Sequence, residues 1–146
     1  MFLMTIPGDP VAKERPRLSK CGRVYTPKKT RQWEAMASQA MCLQWGKRPL
    51  LASAVLVKIW AIYPRPKKRP RTVTREAWES GMRIWRPSRP DLDNVVKCAL
   101  DAAQLAGVLK DDGFVVHINA RKLYAGDPEV VYNDSPKVII GFEEVW

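Results

Sequence analysis

Two pairs of helix punctuation marks constrain this chain more than any other feature. Thr26-Pro27 reads as a helix start, with Thr as N-cap and Pro in the first helical position, and Gly46 as its stop. Between them Trp33, Met36, Ala37, Ala40 and Met41 recur at helical spacing and give one apolar stripe. Asp93 as N-cap and Gly107 just beyond the end bracket a second helix, Asn94 to Ala106. Short apolar runs fill the intervals and read as strands: Phe2 to Ile6, Ala54 to Ile62, Phe114 to Ala120 and Lys137 to Trp146. Within Phe114–Ala120 the alternation predicts Phe114, Val116 and Ile118 inward, with Val115, His117 and Asn119 outward. The order strand, helix, strand, helix, strand, strand, without a Gly-rich phosphate loop, predicts a single α+β domain with helices packed on one mixed sheet.

Charge narrows the partners. The 146 residues carry 25 Lys and Arg against 15 Asp and Glu, a formal net charge of +10. Such an excess attracts polyanions, because each phosphate neutralised releases condensed counterions. Most of it lies in Pro64 to Pro90, which holds nine basic and two acidic residues with Trp78 and Trp85 interleaved. Basic tracks with aromatics suit branched or single-stranded nucleic acid, on whose bases the rings stack. Lys13-Glu14-Arg15-Pro16-Arg17 forms a second basic, Pro-stiffened loop running to about Tyr25. No apolar run approaches the roughly 20 residues of a membrane span, and the N-terminus lacks the pattern of a signal peptide. Cys21, Cys42 and Cys98 have no metal-ligand or redox spacing and are expected to be free thiols of a cytoplasmic protein.

Against this basic background one acidic group stands out: Asp91, Asp93 and the adjacent Asp111-Asp112. Asp91 and Asp93 are two apart in what reads as an extended segment, so both side chains are expected on one side. Hard cations such as Mg²⁺ take oxygen ligands, one or two carboxylates with waters and substrate phosphate. Lys97 follows Asp93 by one helical turn on the same face, where it can meet a phosphate oxygen. An N-cap Asp with an i,i+4 lysine partner accounts for Asp93 and Lys97 without any site, but leaves Asp91, Asp111 and Asp112 unexplained. A 13-residue helix rises about 18 Å. Six extended residues, Gly107 to Asp112, return about 17–20 Å, just enough to bring Asp112 back to the level of the pair; a compact loop falls short, and the acidic group then needs another subunit.

Pro90-Asp91-Leu92-Asp93-Asn94, Lys97, Leu100-Asp101-Ala102 and Asp111-Asp112, with Lys122 ten residues on, resemble the signature of the RusA family of Holliday junction resolvases. Gly8-Asp9-Pro10-Val11-Ala12-Lys13-Glu14-Arg15-Pro16-Arg17 and Tyr25-Thr26-Pro27 are similar to the family's N-terminal pattern. The resemblance covers most of the chain outside about residues 47–88; the 64–90 stretch looks like a basic, Pro-rich insertion, and Gly113-Phe114 stand where many relatives have a Gln.

The resemblance implies a homodimeric endodeoxyribonuclease, dependent on Mg²⁺ with Mn²⁺ able to substitute, that makes paired symmetric nicks in four-way junction DNA. It is expected at the nucleoid, and phage or prophage origin fits. Asp91, Asp93 and Asp112 fall on the family's essential acidic positions as metal ligands, with Asp112 preferred over Asp111, and Lys97 falls on its essential lysine. Lys13, Arg15, Arg17, Lys67, Lys68, Arg69, Arg71, Arg89 and Lys122 are the expected DNA contacts; His117 is expected on the surface and Asp101 in a structural role. A non-catalytic architectural DNA binder fits the charge equally well, but has no use for clustered carboxylates that repel phosphate. A nuclease for other branched DNA fits the same motif.

Overall fold

A computed structural model describes all 146 residues. The elements run β1 (Phe2–Pro7), β2 (Arg17–Leu18), β3 (Val24–Tyr25), α1 (Lys28–Trp45), β4 (Val55–Tyr63), α2 (Arg75–Glu79), β5 (Ile84–Trp85), α3 (Leu92–Leu105), a 3₁₀ turn (Asp112–Phe114), β6 (Val115–Tyr124) and β7 (Lys137–Glu144). One five-stranded sheet has the order β1-β7-β4-β6-β5. The β4–β6 pair is parallel and the others antiparallel, so the sheet is mixed and the domain is α+β, as expected. The parallel pairing requires a long crossover, and that crossover carries α2, β5 and α3.

The alternate residues of the central strands explain the core. Met4, Ile6, Val55, Val57, Ile59, Val138, Ile140 and Phe142 are buried against Trp33, Ala37, Met41 and Trp45 of α1 and Cys98, Ala99, Ala102 and Ala103 of α3. The alanines on α3 let α1 and the sheet approach closely. Gly107 (φ 71°) ends α3: its N–H donates to Gln104 and the Val108 N–H to Ala103, which helps to satisfy the last helix carbonyls. Gly46 (φ 65°) stops α1 in the same left-handed region.

Four local expectations need correction. α1 begins one residue later, with buried Pro27 as its N-cap, because Thr30 turns inward and binds the Ala12 carbonyl. Its buried stripe is Thr30, Trp33, Glu34, Ala37, Met41 and Trp45, while Met36 faces solvent. α3 begins two residues earlier, so Asp91 is the N-cap and Asp93 lies in the first helical turn rather than in an extended pair with it. On β6 the expected inward alternation fails at its start: Val116 is 61% exposed, whereas Val115 packs on the core; Ile118, paired with buried Val57, keeps the expected face beside α3 although it is 41% exposed. The cause is a bulge, since Val55 pairs with Val115 but Leu56 with His117, leaving Val116 without a partner.

The basic Pro64–Pro90 stretch is structured through its own arginines. Arg65 donates to the carbonyls of Trp78 (2.8 Å) and Met82 (3.3 Å), and its guanidinium lies 4.0 Å from the Trp78 ring centre. Arg69 donates to the Val73 carbonyl. Arg83 grips Asp134 with two nitrogens, at 2.7–3.1 Å. Arg86 stacks 3.8 Å above Tyr63 and donates to the Arg89 carbonyl. The stretch is thereby folded back on β4 and β6. No helix is long and apolar enough to cross a membrane.

Candidate active site

Four hydrogen bonds to backbone carbonyls fix the N-terminus of α3. The Arg86 N–H donates to the Lys122 carbonyl (3.0 Å), and the Lys122 ammonium donates in return to the carbonyls of Ser88 and Pro90, both at 2.6 Å. From the other side the Lys13 N–H donates to the Asn94 carbonyl at 2.8 Å. Lys122 is thus a clamp on the loop that delivers Asp91. Burial and the neighbouring Arg86 lower its pKa, against the opposing pull of the Asp91 carboxylate.

Asp91 and Asp93 themselves are exposed and their carboxylates accept no hydrogen bond; Asp91 occupies the N-cap position without capping through its side chain. Both carboxylates stand at the N-terminal end of α3. One turn into the helix, Lys97 reaches across to Asp112 with Nζ–Oδ2 2.8 Å, and back to Asp101 of its own helix at 3.3 Å. The hydrogen bond from Lys97 holds the Asp112 carboxyl below the usual carboxylate range, and the same bond, outweighing partial burial, raises the Lys97 ammonium above its ordinary value.

Asp112 arrives there because the return segment is pinned. The Leu51 N–H donates to Val108 and the Lys110 N–H to Leu51, both 2.9 Å, so the chain runs back along α3 before the 3₁₀ turn. Asp111 is used locally: its Oδ1 accepts from the Gly113 N–H at 2.7 Å and caps that turn. Of the adjacent pair, Asp112 therefore faces the helix.

The structure joins Lys97 to Asp112 and Asp101, and places Asp91 and Asp93 at the start of α3 with no ion pair to Lys97. It does not gather three acidic, His or Cys side chains into one group of a size to hold a metal ion. The donor chemistry still fits a hard divalent cation: two hydrogen-bond-free carboxylates at one helix end, with Asp112 joining only if Lys97 releases it.

The expected DNA contacts divide. Arg15, Arg17, Lys67, Lys68, Arg69, Arg71 and Arg89 are exposed, and Lys67, Lys68, Arg71 and Arg89 have side chains without any bond inside the chain. Lys13 is engaged instead with Glu34 (2.8 Å) and Asp101 (2.9 Å), and Lys122 with the clamp described above. Trp78 is half-buried beneath Arg65, whereas Trp85, on the edge strand, is 63% exposed. His117 is exposed.

Glu34 is the residue that sequence reasoning missed. It is 8% exposed on the buried face of α1, bonded to Lys13, with the Cys98 thiol 3.9 Å away. The signal was its position: Thr30, Glu34, Ala37 and Met41 share one helix face.

The profile of the family described as Endodeoxyribonuclease RusA matches residues 7–133, nearly the whole chain. No curated protein matches its sequence. With the profile running from the end of β1 to the loop before β7, the α3 site included, this chain belongs to the RusA family of endodeoxyribonucleases, the Holliday junction resolvases.

Proposed function

We propose that this endodeoxyribonuclease resolves four-way DNA junctions by paired, symmetric, Mg²⁺-dependent nicks, acting as a homodimer at the cytoplasmic nucleoid. The observation that carries the reading is the pair of unengaged carboxylates, Asp91 and Asp93, at the start of the helix whose Lys97 holds Asp112.

In this reading Asp91, Asp93 and Asp112 would hold the divalent ion, which when bound would supply polarisation of the scissile phosphate and a lowered pKa for the attacking water. Lys97 faces a non-bridging phosphate oxygen and stabilises the charge that builds there. Its present bond to Asp112 keeps the ammonium within the site until phosphate competes for it. Arg86 and Lys122 hold the 86–90 loop so that Asp91 is presented in one place. Arg15, Arg17, Lys67, Lys68, Arg69, Arg71 and Arg89 supply phosphate contacts that set register without reading bases. Lys13 and Lys122 act from beneath the DNA surface, through the protein groups they bind. Two copies related by a two-fold axis present two such sites to a junction of matching approximate symmetry.

The test uses a synthetic four-way junction, a flapped duplex and a linear duplex at equal salt, each with Mg²⁺ or chelator. Paired nicks in the junction alone, dependent on Mg²⁺, are expected. Asp93→Asn should slow cleavage by about a hundredfold or more while junction binding persists, since it removes a charge needed only for chemistry. Equal loss of binding and cleavage overturns the metal role, and flap cleavage at the junction rate overturns the choice of substrate.

A further inference from the structure

The Lys97–Asp112 contact is the end of a longer arrangement. The buried Glu34 binds Lys13 (2.8 Å), and Lys13 binds Oδ2 of Asp101 (2.9 Å). Oδ1 of Asp101 meets Lys97 (3.3 Å), and Lys97 meets Asp112 (2.8 Å). Five side chains from the N-terminal loop, α1, α3 and the 3₁₀ turn thus alternate in charge without a break. An exposed i,i+4 pair such as Lys97–Asp101, taken alone, contributes only a few tenths of a kcal/mol and fixes little. Here Asp101 is different, because each of its oxygens is taken by a different lysine and its side chain is only 20% exposed.

A lysine reaches its target on a flexible four-carbon stem, as a point charge that can face many ways. Lys97 is half-exposed, so packing alone does not fix its ammonium. Once Asp112 is drawn towards a cation, the contact left to Lys97 within the chain is Asp101. Asp101 in turn stays in place because Lys13 holds it, and Lys13 is anchored by its ion pair to a buried carboxylate and by its own N–H on Asn94.

We propose that Asp101 is a positioning residue for Lys97, and that Glu34 and Lys13 form the fixed end of the ladder that keeps it there. This rests on the reading of Lys97 as the group that faces the scissile phosphate. It also gives the Lys13 of the N-terminal basic motif a task in the chemistry rather than in DNA contact.

The experiment compares single-turnover cleavage of a four-way junction at saturating full-length protein with junction affinity measured in chelator. Asp101→Asn should cut about 10- to 100-fold more slowly, the scale of a catalytic group displaced by about an ångström, with affinity unchanged. Asp101→Glu should restore most of the rate, because an open cavity beside Asp101, lined by Lys13, Glu34, Gln104 and Leu105, leaves room for one more methylene. Wild-type cleavage by Asp101→Asn, alongside an inactive Lys97→Met, overturns the proposal; so does equal loss of rate and affinity. Should Asp101→Asn fail to fold, Lys13→Met combined with Glu34→Gln removes the same support without leaving a buried lone charge, and wild-type rate from that protein also overturns it. Wild-type cleavage by Lys97→Met instead overturns the underlying reading of the site.

Discussion

The Pro64–Pro90 stretch and the start of α3 are neighbours in sequence and opposites in the use of charge. The first is crowded with cations, yet Arg65, Arg69, Arg83 and Arg86 are bonded to groups of the chain itself, and serve to fold the segment. The second has few charges, yet Asp91 and Asp93 are tied to nothing. Guanidinium groups have five donors and are weakly hydrated, so they hold bare carbonyls and rings well; short carboxylates at a helix tip have no such reach. A count of charges therefore overstates the DNA-facing surface of the first region and understates the chemical weight of the second.

Removing Arg83 tests that division most strongly. If the segment's arginines fold it, Arg83→Ala should cost roughly 3 kcal/mol, since Asp134, whose side chain is 1% exposed, loses its bidentate partner and keeps only Lys137 at 3.5 Å and the Gly126 N–H. A chain of this size then melts roughly 6–12 °C lower in calorimetry. An unchanged melting temperature would show that Arg83 belongs with the DNA-facing charges.

Acid should weaken the same pair. Hydrogen bonds from Arg83, outweighing burial, hold the Asp134 carboxyl at about 2 against an ordinary 3.8. A depressed carboxylate stabilises the fold above its unfolded value, and the benefit disappears as pH falls through its folded value. About 2 kcal/mol should therefore vanish between about pH 4 and pH 2, and Asp134→Asn should flatten that limb of the stability curve.

The smallest effect on the fold belongs to Lys67, Lys68 and Arg71. Replacing any one with Gln should leave stability within about 0.5 kcal/mol. Each should lower the slope of log affinity against log salt by about 1, uniformly across junction sequences. A stability loss comparable to that of Arg83→Ala would erase the contrast between the two kinds of basic residue.

How much of this was legible depended on how local each cause was. Gly46 and Gly107 announced the helix ends because the left-handed turn there favours a residue without Cβ, a fact independent of the rest of the fold. The α3 motif was legible for a similar reason: Asp91, Asp93 and Lys97 lie within two helical turns. The parity of β6 was not, because one bulged residue, Val116, shifts every side chain before it relative to β4. Nor was the fate of the arginines, since their partners are carbonyl oxygens whose positions only the folded chain defines. Lys13 illustrates this best: its basic motif is visible, but Glu34 is 21 and Asp101 88 positions away in sequence.

Burial of one thiol has a practical consequence. Cys98 sits at the foot of the charge ladder, 3.9 Å from the Glu34 carboxylate, and burial, reinforced by that negative charge, pushes it up to about 12. Almost none of it is thiolate at neutral pH, so alkylating reagents react with Cys98 only during moments when α1 and α3 part. Cys21 and Cys42, both exposed, react without that opening. The molecule thus contains its own clock: the lag of Cys98 behind the other two cysteines times the opening of the helix pair that supports the proposed active site.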